Sequence, residues 1–250
     1  GVPGTVSGME LALSKYGTLK RAQVIAPAIK LAEDGFALDQ GDIDMLHSAT
    51  EEFKQDQDLR GIFLNKGEPL QVGQKLVQKN LARTLREISA KGTDGFYKGW
   101  VAKAIVDSSQ AGKGIIAQAD LDKYQTRELA PIECDYRGYH VVSAPPPSSG
   151  GVVICQIMNI LEGYPMAELG YGSAQGTHYQ IEAMRHAYVD RNSYRGDPDF
   201  VQNPVEHLLD KDYAAKLRAA IDPQKAGDSM AIKPGVAPHE GSNTTHYSIV

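Results

Sequence analysis

The chain has no apolar run near the ~20 residues that a membrane-crossing helix needs, so no membrane span is expected in this segment. It has no basic block: 26 Lys and Arg stand against 31 Asp and Glu, for a net charge of −5. Nothing in that balance suits a nucleic-acid backbone. Cysteine is scarce. Cys134 and Cys155 lack metal-ligand spacing, and the plain expectation is two buried free thiols, a disulfide being possible but not demanded. The seven histidines are scattered, with no HExxH and no His–carboxylate cluster, so no metal and no cofactor are expected. Gly1-Val2-Pro3-Gly4 has neither the charged start nor the apolar core of a signal peptide. An initiator Met is also missing, and the chain reads as cut from something longer. The missing targeting segment therefore decides nothing about location.

What is present is ordinary globular material. A 250-residue chain with 42% hydrophobic and 23% charged residues is one large domain or two small ones with a sizeable core. The first half reads as amphipathic helices. Thr5 to Tyr16 repeats Val6, Met9, Leu13 and Tyr16 at helical spacing, with Thr5 as cap and Gly17 as stop. Val24 to Asp34 follows, closed by Gly35. Asp39 caps a third helix expected to reach about Phe53. Arg60 to Leu64 reads as a short strand before the turn Asn65 to Pro69. Helices are expected over Gln78 to Lys91, Trp100 to Ala111 and, opened by Asp120, up to Tyr124, with a break at Phe96 to Gly99.

The pattern changes at Thr126. Leu129 to Tyr136 and Tyr139 to Ser143 form a predicted hairpin around Arg137-Gly138. Three prolines, Pro145 to Pro147, predict a polyproline II stretch. Ser148-Ser149-Gly150-Gly151 leads into an apolar helix, Val152 to Leu161. Ser173 caps the longest helix, Ala174 to about Tyr194, which ends at the turn Arg195 to Phe200. Lys211 to Ile221 is the last helix. Asp222 to Ser242 is loop by composition, and Asn243 to Val250 reads as a short strand.

Several candidate sites have a bland reading beside the functional one. The Pro147 to Gly151 stretch before a helix could hold an anion, but it matches neither GxxxxGK[ST] nor GxGxxG, and a packing turn is the default. It is not GxSxG either, which argues against a serine hydrolase. Asp190-Arg191 and Asp197-Pro198-Asp199 read as helix-end turns tied by Arg–Asp contacts. His186 reads as a satisfied core histidine. Thr244 differs in kind. A threonine that cuts its own chain needs the scissile bond on a long connector just before a strand that can be held rigidly. Asn243–Thr244 has that arrangement, although a Thr pair in a strand is by itself ordinary β-propensity.

The residues Asn243-Thr244-Thr245-His246-Tyr247-Ser248 resemble the processing site of gamma-glutamyltranspeptidases. The likeness extends along the chain through Gly1 to Val6, Asp135-Tyr136-Arg137-Gly138-Tyr139, Pro145 to Gly151 and Gly196-Asp197-Pro198-Asp199-Phe200. Five such stretches in order are specific where any one is weak.

The resemblance implies an α+β, N-terminal-nucleophile hydrolase αββα sandwich, here its helix-rich large-subunit portion only. Residues 1–243 would belong to the large subunit and 244–250 to the first strand of the small one. Thr244 would be the catalytic residue, and Asn243–Thr244 the bond it cuts in its own precursor. Asn243 stands where the family commonly has Gln, which should matter little because the attacked carbonyl is main-chain. Thr245 and His246 would support the site, His246 on the same strand face as Thr244. The implied donor is glutathione or another gamma-glutamyl compound, the acceptor water or an amino acid, and the protein partner the small subunit of the same precursor. The location implied is periplasmic or secreted. Without the remaining segments the piece should not turn over substrate. Relatives that deacylate other amides, cephalosporin acylases or poly-gamma-glutamate-processing enzymes, would share the threonine. A non-catalytic structural subunit would not use it. The connector Asp222 to Ser242 is expected to be mobile.

Overall fold

The computed structural model describes residues 1–194, 196–229 and 231. The chain divides into two compact units, Gly1–Arg127 and Glu128–Val250, close to the change of pattern at Thr126.

The first unit opens with α1 (Thr5–Tyr16) and α2 (Arg21–Asp34). Gly4, not Thr5, occupies the cap position of α1, and Thr5 is already helical. Strand β1 (Phe36–Ala37) precedes α3 (Gln40–Ser48). The Asp39 carboxylate accepts from the Asp42 backbone N–H at 3.0 Å and starts α3 as expected. The helix does not continue to Phe53. It breaks at Ala49, and α4 (Thr50–Gln55) starts afresh. The expected strand at Arg60 is also corrected, because α5 covers Gln57–Phe63. The physical reason is Asp56, whose carboxylate accepts from Asp58 and Leu59 N–H at 2.8 and 2.9 Å and fixes a helix start. Only β2 (Leu64–Asn65) is extended there, paired with β3 (Glu68–Pro69) across Lys66 and Gly67. Both turn residues have positive φ, 54° and 88°, as a type I′ turn requires.

Strand β4 (Lys75–Leu76) pairs with β1, and α6 (Lys79–Lys91), α7 (Asp94–Tyr97), α8 (Gly99–Ala111) and α9 (Gln118–Lys123) follow. The break expected from Phe96 to Gly99 is thus partly a short helix. Asp120 lies inside α9, its carboxylate accepting from Ala117 N–H at 2.8 Å. Tyr97, Ala102 and Leu121 form one core with Val2, Val6 and Tyr124. The Tyr97 hydroxyl donates to the Pro3 carbonyl at 2.7 Å, and burial raises the pKa of that phenol.

The second unit holds β5 (Ile132–Tyr136), β6 (Tyr139–Ser143), α10 (Gly150–Leu161), α11 (Met166–Leu169), α12 (Ala174–Tyr194), α13 (Val205–Leu209) and α14 (Lys211–Ala219). The hairpin turns at Arg137 and Gly138, with φ of 51° and 86°, a second type I′ turn. Its strand β5 alternates: Ile132, Cys134 and Tyr136 point inward, while Glu133 and Asp135 are exposed. Helix α10 lies at the centre, packed by β5, α12, α13 and α14. Ile160 of α10 packs with Ala183 of α12, Ala214 of α14 and Ile221.

Two expectations fail here. Cys134 and Cys155 form a disulfide, with Cα atoms 6.0 Å apart. The inward face of β5 brings Cys134 onto α10 directly over the fully buried Cys155. The prolines do not run as polyproline II either. The Pro146–Pro147 bond is cis, and Ser148 N–H donates to the Pro145 carbonyl at 3.1 Å, which makes a four-residue turn. Among the described residues the strands make only two-stranded pairings, and no helix is long and apolar enough to cross a membrane.

Candidate functional site

The residues singled out in the sequence, Thr244 as catalytic, Asn243 as its partner in the cut bond and Thr245 and His246 as supporting residues, lie outside the described residues. The chain that leads toward them is described through Ser229 and again at Ala231.

Helix α12 organises this region. Its start is fixed by Ser173, whose hydroxyl accepts from Gly176 N–H at 3.1 Å. On one side Asp190 is buried and accepts from Gln156 Nε2 at 2.5 Å and from the Tyr213 hydroxyl at 2.9 Å. Asp190 therefore holds three helices together. Arg191 donates from Nε to the Ser149 hydroxyl at 3.0 Å and from Nη1 to Asn192 at 3.1 Å. The turn after α12 is held by Asn203, which exchanges two hydrogen bonds with Gly196, and by Asp197, which accepts from Asp199 N–H at 3.0 Å.

The anion-site candidate is a close-packed turn. A side chain at Gly151 would come within 2.5 Å of the Ala144 carbonyl, so only glycine lets α10 start against this strand end. At the other end of α10, Arg218 of α14 donates to the carbonyls of Asn159 and Ile160, each at 2.8 Å. These are C-terminal helix carbonyls, and the cation suits their negative dipole end.

On another side of α12 the connector begins. The Asp222 carbonyl accepts from His178 Nε2 at 2.7 Å, and the Pro223 carbonyl accepts from Gln175 Nε2 at 2.9 Å. Since a carbonyl can only accept, His178 carries its proton on Nε2. Gly227 N–H donates to Glu182 Oε1 at 3.1 Å, and Arg185 pairs with Glu182 at 3.2 Å while also reaching the Ser229 hydroxyl. Against the expectation of a mobile connector stand these hydrogen bonds at Asp222, Pro223, Gly227 and Ser229, all of them exposed residues. They are made by a row of α12 side chains that bond its backbone and Ser229. The remainder of the connector lies outside the described residues.

His186 sits beside this segment in a cavity of roughly 410 Å³, lined also by Glu182, Asp222, Lys225 and Gly227. Burial lowers its pKa, and this outweighs the carboxylates of Glu182 and Asp190. It is half-buried rather than a fully enclosed core histidine. His140 shifts the other way. It lies on the exposed face of the hairpin, 3.0 Å from Asp135 and 3.6 Å from Glu133, and the Asp135 hydrogen bond raises its pKa. Sequence reasoning missed the Glu182 and Arg185 pair and the Arg218 cap. The only signal for Glu182 was a charged residue on the inward side of a long helix. Among the described residues, no cluster of His, Cys, Asp and Glu is arranged to hold a metal ion.

Comparison with known proteins places this architecture. The crystal structure of Helicobacter pylori gamma-glutamyltranspeptidase superposes with a TM-score of 0.90 and 45% identity, over 97% of this chain and 70% of that one. A cephalosporin acylase from Bacillus halodurans superposes at 0.83 with 31% identity, over 91% of this chain and 44% of its own. The fold is the helix-rich portion of an N-terminal-nucleophile hydrolase. A glutathione hydrolase proenzyme from Pseudomonas sp. (strain A14) is 76% identical over 100% of this chain and 44% of its own length. The model of the family described as gamma-glutamyltranspeptidase matches residues 1–250, and the chain belongs to that family. It spans less than half the length of the curated relatives it matches.

Proposed function

We propose that the polypeptide carrying this chain is a glutathione hydrolase and gamma-glutamyltransferase, made as a precursor that cuts itself at Asn243–Thr244. The observation that carries the reading is the 76% identity, across the whole chain, with a protein named a glutathione hydrolase proenzyme. The sequence Thr244-Thr245-His246-Tyr247-Ser248 supports the position of the cut. Residues 1–243 then belong to the large subunit, and 244–250 begin the small one.

One hydroxyl serves twice. In the precursor, Thr244 Oγ attacks the Asn243 carbonyl carbon, and the acyl group moves from the Thr244 nitrogen to its oxygen. Water opens the resulting ester, which leaves a carboxylate on Asn243 and a free α-amine on Thr244. Such an amine has a pKa of ~7.7–8.0. Part of it is therefore neutral near pH 7 and takes the proton from the hydroxyl, directly or through a water. As an amide the same nitrogen has no useful basicity, so the enzyme is off until cut. The freed hydroxyl then takes the gamma-glutamyl group of glutathione as an ester and expels the amine half. Water or an amino acid releases it. Thr245 and His246 flank the nucleophile and orient it. This 250-residue piece alone is inactive.

The Cys134–Cys155 disulfide supports a periplasmic or secreted location, since such bonds persist in oxidising compartments. The similarity to a cephalosporin acylase favours one second reading, an amidase that deacylates another amide with the same threonine. Mass spectrometry of the full-length parent tests the shared part. The expected result is a cut between Asn243 and Thr244, abolished by Thr244→Ala; an intact folded parent would refute it. Release of p-nitroaniline from gamma-glutamyl-p-nitroanilide then selects the gamma-glutamyl reading, and inertness toward it with activity on a cephalosporin side chain selects the other.

A further inference from the structure

The four side chains that hold the connector recur along α12 as Gln175, His178, Glu182 and Arg185. At helical spacing they fall within an arc of ~80°, so they form one row along the helix. Gln175 meets the Pro223 carbonyl and His178 the Asp222 carbonyl, and further along Glu182 meets Gly227 and Arg185 meets Ser229. Glu182 is its firmest point, with only 3% of its surface exposed. Its carboxylate is paired with Arg185 and accepts from Gly227 N–H, a charge-assisted bond. Glycine at 227 has a steric reason: a Cβ there would come within 2.7 Å of Glu182 Oε2.

We infer that this row is a track that fixes the base of the connector, and that Glu182 and Arg185 are positioning residues for self-cleavage. The inference rests on the reading of Thr244 as the cutting residue. Released from the track, the eight residues Asp222 to Ser229 lose their anchor points on α12. A misplacement of ~1 Å arising far from the chemistry can cost on the order of 10²-fold in rate, so a connector base held on α12 favours a reproducible geometry at the junction. The track makes no contact with a reacting atom. It acts before the cut, so turnover by enzyme that has already been cut should not depend on it.

The test uses the full-length precursor. Glu182→Ala removes the acceptor, and Gly227→Ala leaves α12 intact but forces a methyl against the carboxylate. Purified precursors are followed by mass spectrometry for the rate of cleavage at Asn243–Thr244, and cut enzymes are assayed for kcat/KM. Each variant should process at least about twofold more slowly, a small part of what misplaced reacting groups can cost, with kcat/KM unchanged, and the double variant should be no slower than the slower single one. Trypsin should cut after Lys225 more readily in both. Processing at the wild-type rate in both variants overturns the inference. So does a slowing that tracks a lower melting temperature of the precursor, because that is what a purely structural role would produce. A wild-type parent that is not cut at this bond instead refutes the threonine reading, and the two failures are distinct.

Discussion

Breaking the Cys134–Cys155 bond should cost the second unit about 3 kcal/mol. The two cysteines are 21 residues apart in sequence. A cross-link across such a loop removes about 11 cal/mol/K of entropy from the unfolded chain, or about 3.3 kcal/mol at 25 °C. The folded state loses little else, because both sulfurs sit in the core cluster with Ile132, Val152 and Leu208. The clean comparison is Cys134→Ala with Cys155→Ala, since a hydroxyl at the fully buried position 155 would add the cost of an unpaired polar group, about 1–3 kcal/mol. Urea denaturation of the parent, with and without dithiothreitol, reads the difference. Wild type should lose its extra stability in the reductant, and the double variant should be indifferent to it. Two cysteines that alkylate freely in unfolded, unreduced protein would refute the pairing. A paired protein with no loss on reduction would refute the loop-entropy reasoning.

Gly163→Ala should destabilise by about 2–3 kcal/mol, because the added methyl overlaps the Arg218 guanidinium and drives it off the Asn159 and Ile160 carbonyls; thermal denaturation beside Arg218→Ala checks it, and the double variant should cost no more than Arg218→Ala alone. His186 and His140 should bias acid stability in opposite directions. The pKa of His186 is lowered, so its contribution is fully present above ~6.5 and is lost as pH falls toward its folded value. The pKa of His140 is raised, so its contribution is present below ~6.5 and is lost as pH rises through its folded value. Stability against pH for His186→Gln and His140→Gln, each compared with wild type, reads the two signs separately.

Much of the helical architecture was legible because its punctuation is local. Gly17, Gly35 and Gly92 end helices where their positions suggest, and Arg137-Gly138 turns the hairpin. Errors arose where a local signal competed with a stronger one nearby. Arg60 to Leu64 reads as a short extended piece before a turn, but the Asp56 cap four residues earlier sets a helix running. The disulfide was not legible because neither spacing nor composition tells which face of β5 meets α10. The hold on the connector was equally hidden. Its partners there are mostly backbone carbonyls and an N–H, which every residue carries, so Asp222 to Ser229 reads as plain loop. The proposal for Thr244 rests on its motif, since no property of an isolated threonine marks a nucleophile.

The position of α10 has a consequence for how the second unit comes apart. Eight of its twelve residues are buried, Gln156 and Asn159 among them, so it has hardly any wet face on which to stand alone. Pulling away α12 or α14 would strand it in water, and α10 cannot leave without emptying the space between them. These elements must open together or not at all. Amide hydrogens of α10 should therefore exchange with solvent only through complete unfolding of the unit, at one shared rate set by its global stability.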